Sequence, residues 1–195
     1  MKNKILGYAI GPVGSALLGL ITLPLLTWYY PVEDIGRISM LQVVASFSVL
    51  LFCLGLDQAY TREYHETDNK PKLFKQSILP GAFFMLISFF IIYLLGLEKL
   101  SVWLYGIPSF YLAIISIFCF VLTFFSRFLS LILRMEDRAV AYFMSQLLPK
   151  ILFVFFIVGS VWIGASKNIY NLVTAHALSI TAIFLIFFWN TRKTW

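Results

Sequence analysis

Charge is what this sequence has least of. Asp, Glu, Lys and Arg make up only 12% of its 195 residues, about half the share of an ordinary soluble domain. With 61% of residues hydrophobic, a chain of this size cannot bury its apolar excess in one water-facing globule. Its solvent must largely be lipid. Long polar stretches are missing as well, so no segment between the apolar runs could fold as a catalytic domain. Cysteine and histidine are scarce: Cys53, Cys119, His65 and His176 stand far apart in the chain. None has partners at metal-ligand or triad spacing, and no glycine-rich phosphate loop is present. No metal, no cofactor and no enzymatic activity is expected.

Six long apolar segments remain, near Ile5–Trp28, Gly36–Leu56, Ser77–Leu97, Ser109–Leu133, Gln146–Ala165 and Asn171–Trp189. As a helix, each is of the order needed to cross about 30 Å of hydrocarbon. Their length, and the absence of strict alternation, exclude the strands of a membrane barrel. The first is too long for a signal peptide and ends in Trp28-Tyr29-Tyr30-Pro31 instead of small residues, so it reads as a retained span. The expectation is an all-α integral membrane fold, one transmembrane domain over residues 1–195, with the longest loop at Gln58–Gln76.

The cations are distributed unevenly. Placing the N-terminus inside puts Lys2, Lys4, Arg62, Lys70, Lys72, Lys75, Arg134, Arg138, Arg192 and Lys193 on the inner side, against Arg37, Lys99 and Lys167 outside. That bias sets both termini in the cytoplasm. The net charge of +6 is therefore read as topology signal and attraction to anionic membrane lipid, not as a nucleic-acid surface. Trp28, Tyr29, Tyr30, Trp103, Tyr105 and Tyr170 are expected at the outer interface, and Tyr60, Tyr64, Trp189 and Trp195 at the inner one.

Polar residues inside the spans carry the functional signal. Ser39, Gln42, Ser46, Cys53 and Asp57 recur on one face of the second span, and Ser116, Cys119, Thr123, Arg127, Ser130 and Arg134 on one face of the fourth. Gln146 and Lys150 open the fifth, and Asn171, Thr174 and Thr181 mark the sixth more weakly. Such stripes face other helices or a wet cavity. Arg127 is the most telling member, because an arginine deep in the bilayer costs roughly 2.5–3.5 kcal/mol on insertion scales. With Arg62, Arg134 and Lys150, which sit near inner helix ends, it would give a cavity a cationic mouth suited to phosphate or pyrophosphate. Asp57 is a natural partner for one of these cations. Gly7, Gly11, Ser15 and Gly19 form a small-residue ridge on the first span, which Pro12 and Pro24 interrupt; the ridge permits close helix contact.

The stretch from Gly11 through Pro24 to Pro31-Val-Glu-Asp-Ile-Gly36, the run Leu54-Gly-Leu-Asp-Gln-Ala-Tyr-Thr-Arg-Glu-Tyr64, and Arg134 followed by Ala141-Tyr142 and Gln146 resemble bacterial polysaccharide flippases. The likeness is to the Wzx-type O-antigen and capsule repeat-unit flippases of the multidrug/oligosaccharidyl-lipid/polysaccharide exporter superfamily. The resemblance implies movement of an undecaprenyl-pyrophosphate-linked oligosaccharide across the bacterial cytoplasmic (inner) membrane, by alternating access between two six-helix lobes. It carries over Asp57 and Arg62; Arg127, Arg134 and Lys150 rest on the charge and stripe pattern. Family members have twelve or more spans, so this chain corresponds to the N-terminal lobe, acting as a fragment, with a second copy or with a separate second lobe. Three other readings stay open: a cation-coupled drug antiporter of the same superfamily, an intramembrane enzyme of lipid or glycan synthesis, and a non-transporting remnant.

Overall fold

A computed structural model of the chain describes residues 2–192, with side chains from residue 13 onward. Among the described residues every regular element is a helix: α1 (Lys2–Tyr29), α2 (Val32–Cys53), α3 (Leu56–Glu63), α4 (Lys70–Leu95), α5 (Leu97–Tyr105), α6 (Phe110–Met135), α7 (Ala139–Trp162) and α8 (Ile169–Thr191). Of these, α2, α4, α6, α7 and α8 are long and apolar enough to cross a membrane. In α1 the described apolar part, Val13–Tyr29, is shorter, within a helix of 28 residues. This is an all-α, multi-pass membrane protein.

The long helices alternate in direction, which gathers the chain turns at two ends. At the basic end, the guanidinium of Arg138 ties the start of α7 to Asn190 near the close of α8 (Nη2 to Oδ1, 2.6 Å). At the other end, the Asn171 side-chain amide donates to Tyr30 Oη at 3.0 Å and Ser160 Oγ at 2.9 Å, joining α8, α1 and α7. Helix starts carry their own caps: the side-chain oxygens of Asn69, Ser109 and Asn168 accept from Lys72, Leu112 and Asn171 backbone N–H groups.

Helix α6 is the centre of the bundle, packed on α2, α3, α5, α7 and α8. Its buried residues, including Leu112, Phe120, Phe124, Phe128 and Ile132, feed two apolar clusters, one toward each end. Helix α1 lies on α7 at one flank, and α4 lies on α2, α3 and α5 at the other. The α2–α4 crossing is tight at Gly81: a Cβ there would collide with the Phe52 carbonyl oxygen and come within 3.0 Å of the Phe124 ring.

Two short helices replace expected loop and span ends. The second span ends at Cys53, not Leu56, because Leu54 and Gly55 both take left-handed backbone (φ 50° and 75°), which no α-helix can propagate through. The chain restarts as α3, so much of the expected loop Gln58–Gln76 is helical. At the opposite end α5 lies across the bundle. The Tyr105 hydroxyl is 2.6 Å from Ser116 Oγ, Ser101 Oγ donates to Ile107 O at 2.7 Å, and Arg37 Nε donates to Tyr105 O at 2.9 Å.

The aromatic anchors divide. Trp28, Trp103 and Trp189 are exposed, as interfacial anchors should be, and Trp162 joins them. Tyr30, Tyr60, Tyr64 and Tyr105 are buried core residues instead: Tyr60 and Tyr105 lie on the buried faces of α3 and α5, and Tyr30 is held by Asn171 of α8. Trp195 and Lys193 lie outside the described residues, as do the side chains of Lys2, Lys4 and Pro12 and the surroundings of Gly7 and Gly11.

Candidate functional site

Asp57 is placed by the turn that ends α2. It sits in the first turn of α3, which docks through aromatic edges: Tyr60 on Tyr64 (5.6 Å between centroids) and on Phe74 (6.1 Å), with Phe74 on Phe128 (6.3 Å). Tyr60 is fully buried and its hydroxyl has no hydrogen-bond partner among the described residues. Burial, with Tyr64 beside it, pushes its ionisation well above the ordinary phenol range. The cost of that orphan hydroxyl is borne to hold a large ring in place. The docked helix turns Asp57 inward, leaving its side chain only 11% exposed.

The partner of Asp57 is Arg127. Nη2 of Arg127 lies 2.9 Å from Asp57 Oδ2 and Nε 3.3 Å from the same oxygen, while Asp57 Oδ1 accepts from the Gln58 backbone N–H at 3.0 Å. Arg127 lies eight residues before the end of α6, roughly 12 Å in from the basic end. Its side chain remains 46% exposed, so one edge of the guanidinium pairs with Asp57 and the rest is open. What it opens to is a groove. A hollow of about 460 Å³ is walled by α2, α6, α7 and α8 and includes Arg127, Ser130, Ser126, Thr123, Ser46 and Gln146. A second hollow of about 310 Å³ shares Ser46, Thr123, Ser126 and Gln146 and continues toward Gln42, Lys150, Ser15 and His176. The two share a wall and form one cleft running into the span, its polar side chains standing in a lining that is otherwise apolar.

Lys150 lies deeper than its expected place at a helix end. Helix α7 begins at Ala139, so Lys150 is roughly 16 Å along it, in mid-span. Its ammonium donates to the Ser15 backbone carbonyl at 2.5 Å. Gly19, one turn on, leaves the ammonium its space: a Cβ there would stand 3.4 Å from Nζ. Ser15 and Gly19, the described members of the small-residue ridge, thus face α7, as does Gly14 beside them, whose Cβ would lie 3.1 Å from Leu147.

Of the expected site residues, Arg127 and Lys150 line the groove, one in each hollow, and Asp57 is joined to it only as the partner of Arg127. Arg62 is exposed on α3 and Arg134 is exposed at the end of α6, and neither is among the lining residues. Several other stripe residues are helix–helix or helix-internal bonding groups: Ser116 binds Tyr105, Asn171 binds Tyr30 and Ser160, and Thr174 and Thr181 donate to carbonyls of their own helix. Cys53 and Cys119 are buried free thiols. Ser126, Ser145 and Pro149 line the groove without having been singled out. Ser126 follows Thr123 by three residues, a spacing that could have found it; its hydroxyl has no partner among the described residues. Pro149 lacks an N–H and so releases the Ser145 carbonyl from the α7 ladder.

The groove offers hydroxyls, amide groups and two cations, with one carboxylate engaged by Arg127. Among the described residues no cluster of His, Cys, Asp and Glu could hold a metal ion. The model of a family described as polysaccharide biosynthesis protein matches residues 1–195. The chain belongs to that family. Comparison with curated proteins and with solved structures gives no match. Polysaccharide biosynthesis and a multi-pass membrane fold are thus joined in one chain, with a polar cleft inside its spans.

Proposed function

We propose that this member of the polysaccharide biosynthesis family is a flippase unit, moving undecaprenyl-pyrophosphate-linked oligosaccharide from the inner to the outer leaflet of the bacterial cytoplasmic membrane. The observation that carries the reading is the half-open Arg127 guanidinium, held by Asp57 at the wall of a hydroxyl-lined groove within the span. A guanidinium with free donors suits a pyrophosphate, and the Ser, Thr and Gln lining suits sugar hydroxyls. The cargo moves with no covalent bond made or broken. The groove is open on one side, and a second lobe, or a second copy of the chain, supplies the missing wall in this reading. Both termini are cytoplasmic, and the basic end is the entry side for the anionic head of the substrate, with Arg62 and Arg134 drawing it toward the mouth.

Engagement of Asp57 by Arg127 favours this over a cation-coupled antiporter, whose coupling carboxylate must be available to a cation. The test is replacement of Arg127 by Gln and of Asp57 by Asn in cells that depend on the native protein. Both variants should reach the membrane at normal levels and lose surface polysaccharide. Normal polysaccharide in both would overturn the assignment of the groove. Ion-driven efflux of a cationic dye, abolished by Asp57→Asn, would favour the antiporter.

A further inference from the structure

Helix α4 is the outlier of the bundle. It packs on α2, α3 and α5 and, through Phe74 and Phe89, on rings of α6, and none of its residues lines the groove. Its outward face is one continuous stripe: Lys72, Lys75, Gln76, Leu79, Phe83, Leu86, Phe90 and Leu94 recur at three- and four-residue steps, and all are exposed. The apolar members are 61–68% exposed, from Phe90 at 61% to Leu94 at 68%. In a membrane helix on the far side from the polar cleft, such a face meets lipid.

The stripe is polar only at its first turns. Lys72 and Lys75 stand at the basic end, one turn from each other, directly below Leu79 and Phe83 on the same face. Lys70 is different: its ammonium sits over the Tyr64 ring at 4.6 Å, which directs it toward α3. Pro80 lies inside α4 and, lacking an N–H, leaves the Gln76 carbonyl without its helical donor. That turn therefore holds two ammonium groups, a carboxamide and a released carbonyl acceptor, with an apolar track leading away from it.

We propose that the Lys72–Lys75 turn of α4, with the Leu79–Phe83–Leu86–Phe90 track above it, is a binding site for an anionic glycerophospholipid. The phosphate pairs with the two ammonium groups. A glycerol hydroxyl of the headgroup donates to the Gln76 carbonyl. One acyl chain lies along the track. The site is separate from the groove and does not depend on the flippase reading. It differs from a general positive-inside signal in that it requires the two lysines and the apolar track on one helix face, where a topology signal needs only charge at the helix end.

The experiment uses the purified full-length native protein in neutral detergent, with bound lipid read by native mass spectrometry and stability by thermal unfolding. Phosphatidylglycerol should be retained and should raise the unfolding temperature, whereas phosphatidylcholine of the same chains should not. Lys72→Gln/Lys75→Gln should weaken phosphatidylglycerol binding roughly thirtyfold, taking each lysine near a headgroup at its usual surface strength. Lys72→Arg/Lys75→Arg should keep it, as should Lys99→Gln at the opposite end. Undiminished binding in the Gln pair, equal binding of phosphatidylcholine, or displacement of the lipid by millimolar glycerol 3-phosphate would overturn the site; the last would reassign the charge cluster to free phosphates.

Discussion

The α2–α4 crossing can be tested with one methyl group. At Gly81 the backbone of α2 comes so close to α4 that an added Cβ would meet the Phe52 carbonyl oxygen, with the Phe124 ring 3.0 Å away. A ring can rotate; a backbone oxygen held in a helix cannot. Gly81→Ala therefore forces the helices apart, and overpacking of this kind costs about 1–3 kcal/mol. Removing a glycine from a helix interior returns about 0.8–1 kcal/mol, leaving a net loss of up to about 2 kcal/mol. For a chain of this length that is a fall in Tm of up to about 8 °C. Gly36→Ala and Gly159→Ala are the controls, since both are helical and a Cβ at either meets nothing within 4 Å; they should leave Tm unchanged or raise it. Thermal unfolding in detergent, followed by loss of the monodisperse elution peak, measures all three. Full rescue of Gly81→Ala by Phe124→Leu would refute the reasoning, because it would show that the ring and not the backbone was the obstacle.

Two further outcomes follow from the same geometry. Gly55→Ala should lower stability by about 1–2 kcal/mol although its surroundings are empty, because φ is +75° there and an L-residue pays for that conformation; an unchanged unfolding curve would mean that the α2–α3 turn relaxes. Gly19→Leu should push the Lys150 ammonium off the Ser15 carbonyl, so that Gly19→Leu and Lys150→Leu together destabilise no more than the worse of the two alone; additive losses in this double-mutant cycle would separate the two sites.

The spans were legible because their signal is compositional. Each of α2, α4, α6, α7 and α8 falls where an apolar run does, and no tertiary contact is needed to see it. The helix ends were less so. Leu54 is an ordinary helix former, and only the glycine beside it hints that the chain turns there; α3 and α5 are short, amphipathic and stabilised by what they cover, so Tyr60 and Tyr105 read as interfacial anchors when they are core. For the groove, periodicity found Arg127 and Asp57, and the family resemblance also carried Asp57, but neither showed that they pair: Arg62 is closer in sequence, and it is the docking of α3 on Phe74 and Phe128 that swings Asp57 toward α6. The Lys150 contact left no trace in the pattern, since its acceptor is a backbone carbonyl, which every residue owns.

That difference between the two cations bears on what the groove holds. Arg127 is neutralised by a carboxylate, whereas Lys150 is satisfied by a neutral carbonyl, so the charge at mid-span is not balanced by its own partner. A charge of this kind is tolerated in a membrane protein where water or a counter-ion reaches it. The groove provides the access, and the Ser15 carbonyl holds the ammonium at its wall. In the flippase reading proposed above, an anionic group entering past Arg127 would meet a second, less committed cation deeper in. Two cations of unequal engagement, the outer one paired and the inner one carbonyl-held, would in that reading let the anion step inward along the groove without being trapped at its mouth.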